Sequence, residues 1–419
     1  MEVKMGSYEV KNEDKKACGF WLNIGSRIVE WVGGFLLGTP SWGALSIVFP
    51  NARIATIGNK NDDNHAKLKL NNLKLFGSIR RRGTLGFSSA YMRGDIESED
   101  LTALFTFFLK NRNLFEKAGK GWVGRAASDL AYHLSRANSR HQAKENIAEH
   151  YDLGNDFYAL WLDKSMTYSS AIFNADNQTL TQAQNTKYQK VADLAGIKKG
   201  AWVFEIGSGW GGFAQFIAKE YQANLYGISL SKEQIKYAKQ RIKNLSLDNL
   251  ASFHFEDYRD SVGQFDNVCS IEMIEAVGEE RWPEYFKAVY NLLKPNGTAA
   301  IQAITINEND FFEYRANPDF IQRYIFPGGM LLTKQAMATQ GKRAGLELIG
   351  QETFGASYAK TLREWRKNFI TQWPKIKALG FDEKFKQKWI YYLSYCEAGF
   401  DNGVIDVGIY QYSKDVMRG

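Results

Sequence analysis

The apolar positions of this chain follow two rhythms. From about residue 185, strand-like and helix-like runs alternate. "AWVFEIG" (201–207) is followed by "WGGFAQFIAKEY" (210–221), "ANLYGISL" (223–230) and "SKEQIKYAKQRIKN" (231–244). "ASFHFED" (251–257), "FDNVCSIEMI" (265–274), "RWPEYFKAVYNLLK" (281–294) and "GTAAIQAITI" (297–306) continue the series. Strand–helix alternation of this length predicts a doubly wound α/β sheet covered on both faces, with its ligand at the carboxyl ends of the strands. Residues 45–95 read differently. "ALSIVFP", "RIATIG", "AKLKL" and "LKLFGSI" predict short strands separated by Asn, Gly and Asp. "IESEDLTALFTFFLKNRNLF" (96–115) predicts a capped helix with acids in its first turn and bases near its end.

The expected organisation is therefore a smaller α+β domain over 1–120, a polar linker helix over 121–145, and a catalytic α/β domain over 146–419. Residues 1–16 read as a polar tail. The apolar stretch 18–38 is interrupted by Arg27 and Glu30. It lacks the roughly 20 uninterrupted apolar residues of a membrane span and predicts an amphipathic helix instead. No secretory signal is visible. Length agrees with two domains, because 419 residues exceed a single core.

Charge changes the picture of the first third. Residues 1–140 carry 21 Lys+Arg against 13 Asp+Glu, and the remaining residues carry 32 against 33. The whole positive excess lies in the first third of the chain. It fits an anionic membrane surface, a nucleic-acid surface or a merely solubilising one. Interleaved aromatics and a recognition helix are not evident there, which argues against nucleic acid. Cys18, Cys269 and Cys396 have no metal-ligand spacing and predict a reducing compartment without disulfides. Cys269 lies in a predicted strand and Cys396 among apolar residues, so both read as structural.

The candidate chemistry starts at "VFEIGSGWGGFAQFIA" (203–218). Gly207, Gly209 and Gly211 allow a tight turn and close approach of the backbone to a ligand. A G-x-G alone is shared with dinucleotide sites. Here Glu205 sits inside the strand, the next strand runs into "YGISLSKEQ" with no acid at its tip, and the one after ends in "FEDYRD". This order resembles a class I S-adenosylmethionine-dependent methyltransferase with a Rossmann-like sheet.

Further motifs narrow the resemblance. "HYDLGNDFYALWLDKSMTYSSAIF" (150–173), "EIGSGWGG" (205–212), "GISLSKEQ" (227–234), "IEMIEAVG" (271–278), "YIFPGG" (324–329), "SYAKTLREWRKNF" (357–369) and "YYLSYCEAGF" (391–400) all resemble the cyclopropane-fatty-acyl-phospholipid synthase family. The resemblance covers residues 120–419, and the basic first domain is similar to the extra lipid-binding domain of longer members. It implies methyl transfer from S-adenosylmethionine to a cis double bond of a phospholipid acyl chain at the inner membrane face. It also implies a cytoplasmic, peripheral protein and a homodimer. Aromatic faces would stabilise the resulting carbocation, and a bound bicarbonate would remove the proton that closes the ring.

Position by position, the resemblance implies a bicarbonate pocket made of Glu275, Tyr358, the Ile304 backbone, Ser170 where the family has a cysteine, and Gln302 where it has a histidine. Glu272 is expected to be a structural acid. Tyr168 and Ser169 correspond to contacts with the methionine part of the cofactor. Glu205 orients that part, Ser229 and Gln234 lie on the adenosine side, and Asp257 and Tyr258 lie at the adenine. His150 is either a general base or, preferred here, a capping or packing residue. No metal is expected. Related fatty-acid methyltransferases leave a methyl or methylene branch or methylate furan precursors, and this outcome stays open beside cyclopropane. A small-molecule N-methyltransferase and a vestigial lipid-binding protein are the competing classes. The lipid-family motifs and the intact glycine turn respectively argue against them.

Overall fold

The computed structural model describes residues 39–59, 61–114 and 153–414. The expected 18–38 helix, the 121–145 linker, Cys18 and His150 lie outside the described residues. The chain divides into two compact units, Met1–Arg125 and Ala126–Gly419.

In the first unit, strands β1 (Ala44–Val48), β2 (Ile54–Gly58), β3 (His65–Leu70) and β4 (Ile96–Glu97) form one sheet in the order β2-β1-β3-β4. β1 runs antiparallel to β2 and parallel to β3. "LKLFGSI" is not a strand. It opens helix α1 (Lys74–Met92), because Leu75, Ser78, Leu85 and Ser88 bury at helical spacing against the sheet. α1 kinks at Gly83, whose combination of φ 53° and ψ −129° suits glycine. α2 (Leu101–Lys110) starts on Asp100, whose carboxylate accepts from the Ala103 N–H at 3.0 Å. Its first turn holds no further acid. Buried Asn111 closes the unit by accepting from the Ser41 N–H at 2.9 Å and donating to the Trp42 carbonyl at 2.8 Å.

The second unit is built on a seven-stranded sheet in the order β10-β11-β9-β8-β5-β6-β7. The strands are β5 (Trp202–Ile206), β6 (Asn224–Ser229), β7 (Ala251–Phe255), β8 (Phe265–Ile271), β9 (Leu293–Ile306), β10 (Glu347–Thr353) and β11 (Ile405–Ser413). Pairs from β7 through β9 are parallel, and β11 runs against both β9 and β10. Side chains alternate along the central strands. Phe204, Val268, Ile301 and Tyr410 face one core, while Val203, Cys269, Ala300 and Ile409 face the other. α3 (Leu180–Ala195) packs on the second face, against β8, β9 and β11. The first face is covered by a helix pair, Trp282–Leu292 and Lys334–Ala344. The chain leaves β5 toward β6 and β7, then returns to β8 and β9. This strand-order reversal beside β5 opens a crevice at the carboxyl ends of the parallel strands.

Two more helices wall that crevice, α4 (Gly355–Thr371) and α5 (Glu383–Asp401). Buried Glu397 ties them together, accepting from Arg363 at 2.9 Å and from Arg366 at 2.8 Å. Two cations and several donors satisfy this carboxylate, which is the condition for a buried charge to be tolerated. No helix among the described residues is long and apolar enough to cross a membrane.

Candidate active site

The β5 strand delivers Glu205, and the chain then turns through Gly207, Gly209 and Gly211 at φ of 84°, 51° and 79°. At Gly211 a Cβ would stand 3.0 Å from Ala238 and 3.1 Å from the Phe253 ring, so the turn packs directly on its neighbours. The N–H groups of Gly207 and Ser208 donate to the Ile228 carbonyl at 3.1 and 2.9 Å, which ties the turn to the end of β6.

A cavity opens beside this turn. Tyr168, Ser169, Glu205, Gly207, Gly209, Ser229, Gln234, Asp257, Tyr258 and Glu272 all line it. Gly211 stands behind the turn, with Gly212 on the wall in its place. Glu205 is buried, and burial pushes its carboxyl up to about 8, with Lys187 pulling the other way. Its Oε2 and the Ser208 hydroxyl have no hydrogen-bond partner. Two unsatisfied polar groups in the cavity wall fit the ammonium-bearing methionine part of S-adenosylmethionine. Ser229 and Gln234 hydrogen-bond each other at 3.0 Å. Asp257 lies beyond the end of β7 and is locked to Arg259, whose Nε donates to it at 2.8 Å. Sequence reasoning missed Arg259, although "DYRD" displayed it two residues from the acid.

The expected bicarbonate pocket assembles differently. β8 ends at Ile271, earlier than expected, and Glu272 follows at a φ of +50°. Its N–H still donates to the Gln302 carbonyl of β9 at 2.9 Å. The left-handed turn swings its side chain into the cavity wall. There the Ser170 N–H donates to Oε1 at 2.8 Å, Gln302 Nε2 donates to Oε1 at 2.7 Å, and the Tyr358 hydroxyl donates to Oε2 at 2.6 Å. Three of the groups expected to hold bicarbonate therefore hold the Glu272 carboxylate. Glu275 meets only the fourth, accepting from the Ile304 N–H at 2.6 Å. Glu272 is thus the centre of the donor set. A separate bicarbonate does not fit donors already engaged by a protein carboxylate.

The two departures from the family pattern do not break the set. Ser170 contributes its backbone N–H, while its hydroxyl turns away to the Ala171 carbonyl at 2.9 Å. Gln302 contributes an amide donor in place of an imidazole. Burial raises both carboxyls of the pair. Glu275 is pushed up to about 8, first by burial and then by the charge of Glu272. Two carboxylates this close do not both ionise readily. Glu272 has three donors and Glu275 one, so the donor set favours the negative charge on Glu272.

Aromatic rings stand around this carboxylate. Tyr358 stacks on Phe400 at 4.5 Å and meets Trp365 edge-on at 6.1 Å. Tyr168 lies 5.3 Å from Trp365, and its hydroxyl donates to that of Tyr392 at 2.9 Å. Cys269 and Cys396 take no part, and burial pushes both thiols up. No metal-ligand cluster is found among the described residues.

Comparison with known proteins identifies the family and the fold. The mycolic acid cyclopropane synthetase family profile matches residues 138–410. A tuberculostearic acid methyltransferase of Mycobacterium tuberculosis is 38% identical, with 80% of this chain and 79% of that protein aligned. The cyclopropane-fatty-acyl-phospholipid synthase of Escherichia coli K12 is 33% identical over 84% of this chain and 89% of its own. Among solved structures, mycolic acid cyclopropane synthase CmaA1 complexed with SAH and CTAB is 28% identical with a TM-score of 0.61, covering 65% of this chain and 98% of its own. The coclaurine N-methyltransferase, at 15% identity, a TM-score of 0.61 and coverage of 79% and 99%, shares the fold alone. The chain belongs to the mycolic acid cyclopropane synthetase family, and it is an S-adenosylmethionine-dependent methyltransferase.

Proposed function

We propose that this enzyme methylates the cis double bond of an unsaturated phospholipid acyl chain and that Glu272 accepts the proton released. The convergence of Ser170, Gln302 and Tyr358 on the Glu272 carboxylate carries the reading. When bound, S-adenosylmethionine supplies an electrophilic methyl group. Glu205 and Ser169 hold its methionine end, Tyr168 and the Gly207–Gly211 turn fix its depth, and Ser229, Gln234, Asp257 and Tyr258 hold the nucleoside. The alkene π pair forms the new C–C bond as the S–CH₃ bond breaks, which leaves a cation on the neighbouring chain carbon. The rings of Tyr168, Tyr358, Trp365 and Phe400 offer that cation their faces and exclude water. Glu272 then takes one proton.

Loss of that proton from the added methyl group, with its C–H pair closing onto the cation, gives a cyclopropane. Loss after a hydride shift leaves a methylene branch. Both outcomes lose the proton from the same added methyl group, so the fixed position of Glu272 serves either. The relatives include both a tuberculostearic acid methyltransferase and a cyclopropane-fatty-acyl-phospholipid synthase.

Expression in a host rich in monounsaturated phospholipid, followed by mass spectrometry of its fatty acids, tests both. A gain of one CH₂ that resists hydrogenation indicates a ring, and one that takes up hydrogen indicates a branch. No gain at all overturns both readings.

The first unit supplies the membrane contact in this proposal. Leu73 and Phe76 are exposed at the start of α1, with Lys74, Arg80 and Arg81 exposed along the same half-helix. Residues four apart share a helix face, so Phe76 and Arg80 stand together. An apolar tip set among cations suits an anionic bilayer. Reversing Arg80 and Arg81 to Glu in the full chain is expected to weaken binding to phosphatidylglycerol vesicles at least about tenfold. Binding to phosphatidylcholine should barely change. Equal binding of parent and variant to the anionic vesicles rejects this surface.

A further inference from the structure

Lys187 is the only lysine buried among the described residues, with no measurable exposure. It sits on α3, and its Nζ donates to the Ser169 hydroxyl at 2.7 Å. One turn earlier, Gln184 donates to the Ser169 carbonyl at 2.8 Å. A single helix face therefore grips Ser169 at both its side chain and its backbone. The next N–H along the chain, that of Ser170, is a donor to Glu272.

A neutral hydroxyl does not compensate a buried ammonium. The compensation comes from charges around it. Burial pulls Lys187 down to about 7, and the charges opposing that fall are Glu272, then Asp163 and Glu205. The Tyr188 ring, 4.6 Å away, adds its face from the same helix. The relation is mutual, because Lys187 is the charge that most lowers Glu272 against its own burial. Glu275 faces no comparable cation and is raised by Glu272.

We propose that Lys187 is the fixed counter-charge that keeps Glu272 ionised for proton acceptance, held in place by its grip on Ser169. It touches neither substrate nor cofactor in this scheme and is a positioning residue. The inference rests on the reading of Glu272 as proton acceptor.

Lys187→Gln keeps a hydrogen bond to Ser169 and removes the charge, while Lys187→Met removes both. Both variants are expected to move the acidic limb of the kcat–pH profile upward by about one pH unit, a loss of rate that approaches about tenfold at pH values below the parental midpoint. The sign follows from the charge: without the cation the Glu272 carboxyl binds its proton more tightly. The loss is recovered at alkaline pH, and cofactor affinity measured by calorimetry changes less than the rate. A Lys187→Gln enzyme with the parental profile overturns the proposal, as does a profile shifted in Lys187→Met alone, which would make the hydrogen bond the whole effect. Glu272→Gln in the same assay separates the two levels. If it keeps the parental rate, the reading of Glu272 itself fails. If it is inactive while Lys187→Gln is parental, only the role of Lys187 fails. Should neither lysine variant fold, carbon-13 glutamate spectra of the parent, assigned through Glu272→Gln, decide the same point. An ionised Glu272 at pH 7 supports the counter-charge, and a protonated one overturns it.

Discussion

Glu272→Gln stops product formation, with kcat falling about 10²–10⁴-fold, the usual worth of a positioned general base. Glutamine keeps the shape, its amide oxygen can still accept from Ser170 and Gln302 at the Oε1 position and its NH₂ can donate to a turned Tyr358 hydroxyl, but it cannot take a proton. Cofactor binding and the thermal midpoint should stay near parental, since the residues holding the cofactor are unchanged. The parental enzyme also carries a pH signature. Burial raises Glu272 above the ordinary glutamate range, so kcat falls as pH drops through that raised value, and activity is retained above it. Bicarbonate depletion is expected to leave the parent active. Glu272→Gly should behave oppositely. Glycine accepts the +50° φ at this position, and its lack of a side chain frees three donors for an external anion. Added bicarbonate should then restore part of the lost rate. Loss of parental activity on bicarbonate removal would show that the carboxylate of Glu272 does not replace it.

Trp365→Ala has the largest expected effect on stability. The ring is fully buried and lies 5.7 Å from Trp161, 5.3 Å from Tyr168 and 6.1 Å from Tyr358. Truncating a buried tryptophan costs about 3–5 kcal/mol, from lost burial and from the cavity left behind. The loss falls on α4, which also carries Tyr358. The variant should therefore lose activity beyond what its folded fraction explains, because Tyr358 no longer has a wall to hold its hydroxyl on Glu272. Trp365→Phe should recover most of the stability and part of the rate. Urea unfolding followed by tryptophan fluorescence measures the first effect, and single-turnover methylation measures the second. An unfolding free energy within about 1 kcal/mol of the parent would mean that the site collapses around the gap and that this ring does not brace Tyr358.

Much of the catalytic unit was legible because its signals are local. Strand–helix alternation requires a covered parallel sheet, and the spacing of Gly207, Gly209 and Gly211 marks a turn only glycine makes comfortably. Ser169, Glu205 and Gln234 were legible through the family resemblance, and Gln234 stands in the first turn of the helix after β6. The first unit was harder. "LKLFGSI" has the composition of a strand, and only burial of Leu75 and Ser78 on one helical face decided for α1. A short apolar run does not distinguish the two periods.

By itself, the sequence determined the fold class and the glycine turn, since each depends on residue type and local spacing, while the residues around the anion pocket came from the family resemblance. The tertiary structure alone decided which acid those residues serve. Ser170, Gln302 and Tyr358 come from a loop, a strand and a helix far apart in the chain. Whether they point at Glu272 or Glu275 depends on one left-handed backbone turn after β8. Lys187 is equally silent in sequence, because a lysine on a helix usually snorkels to water. Its burial beside the carboxylates exists only once α3 is pressed onto the sheet. Long-range charge pairing has no period to read, and three dimensions are needed to see which charges must answer one another.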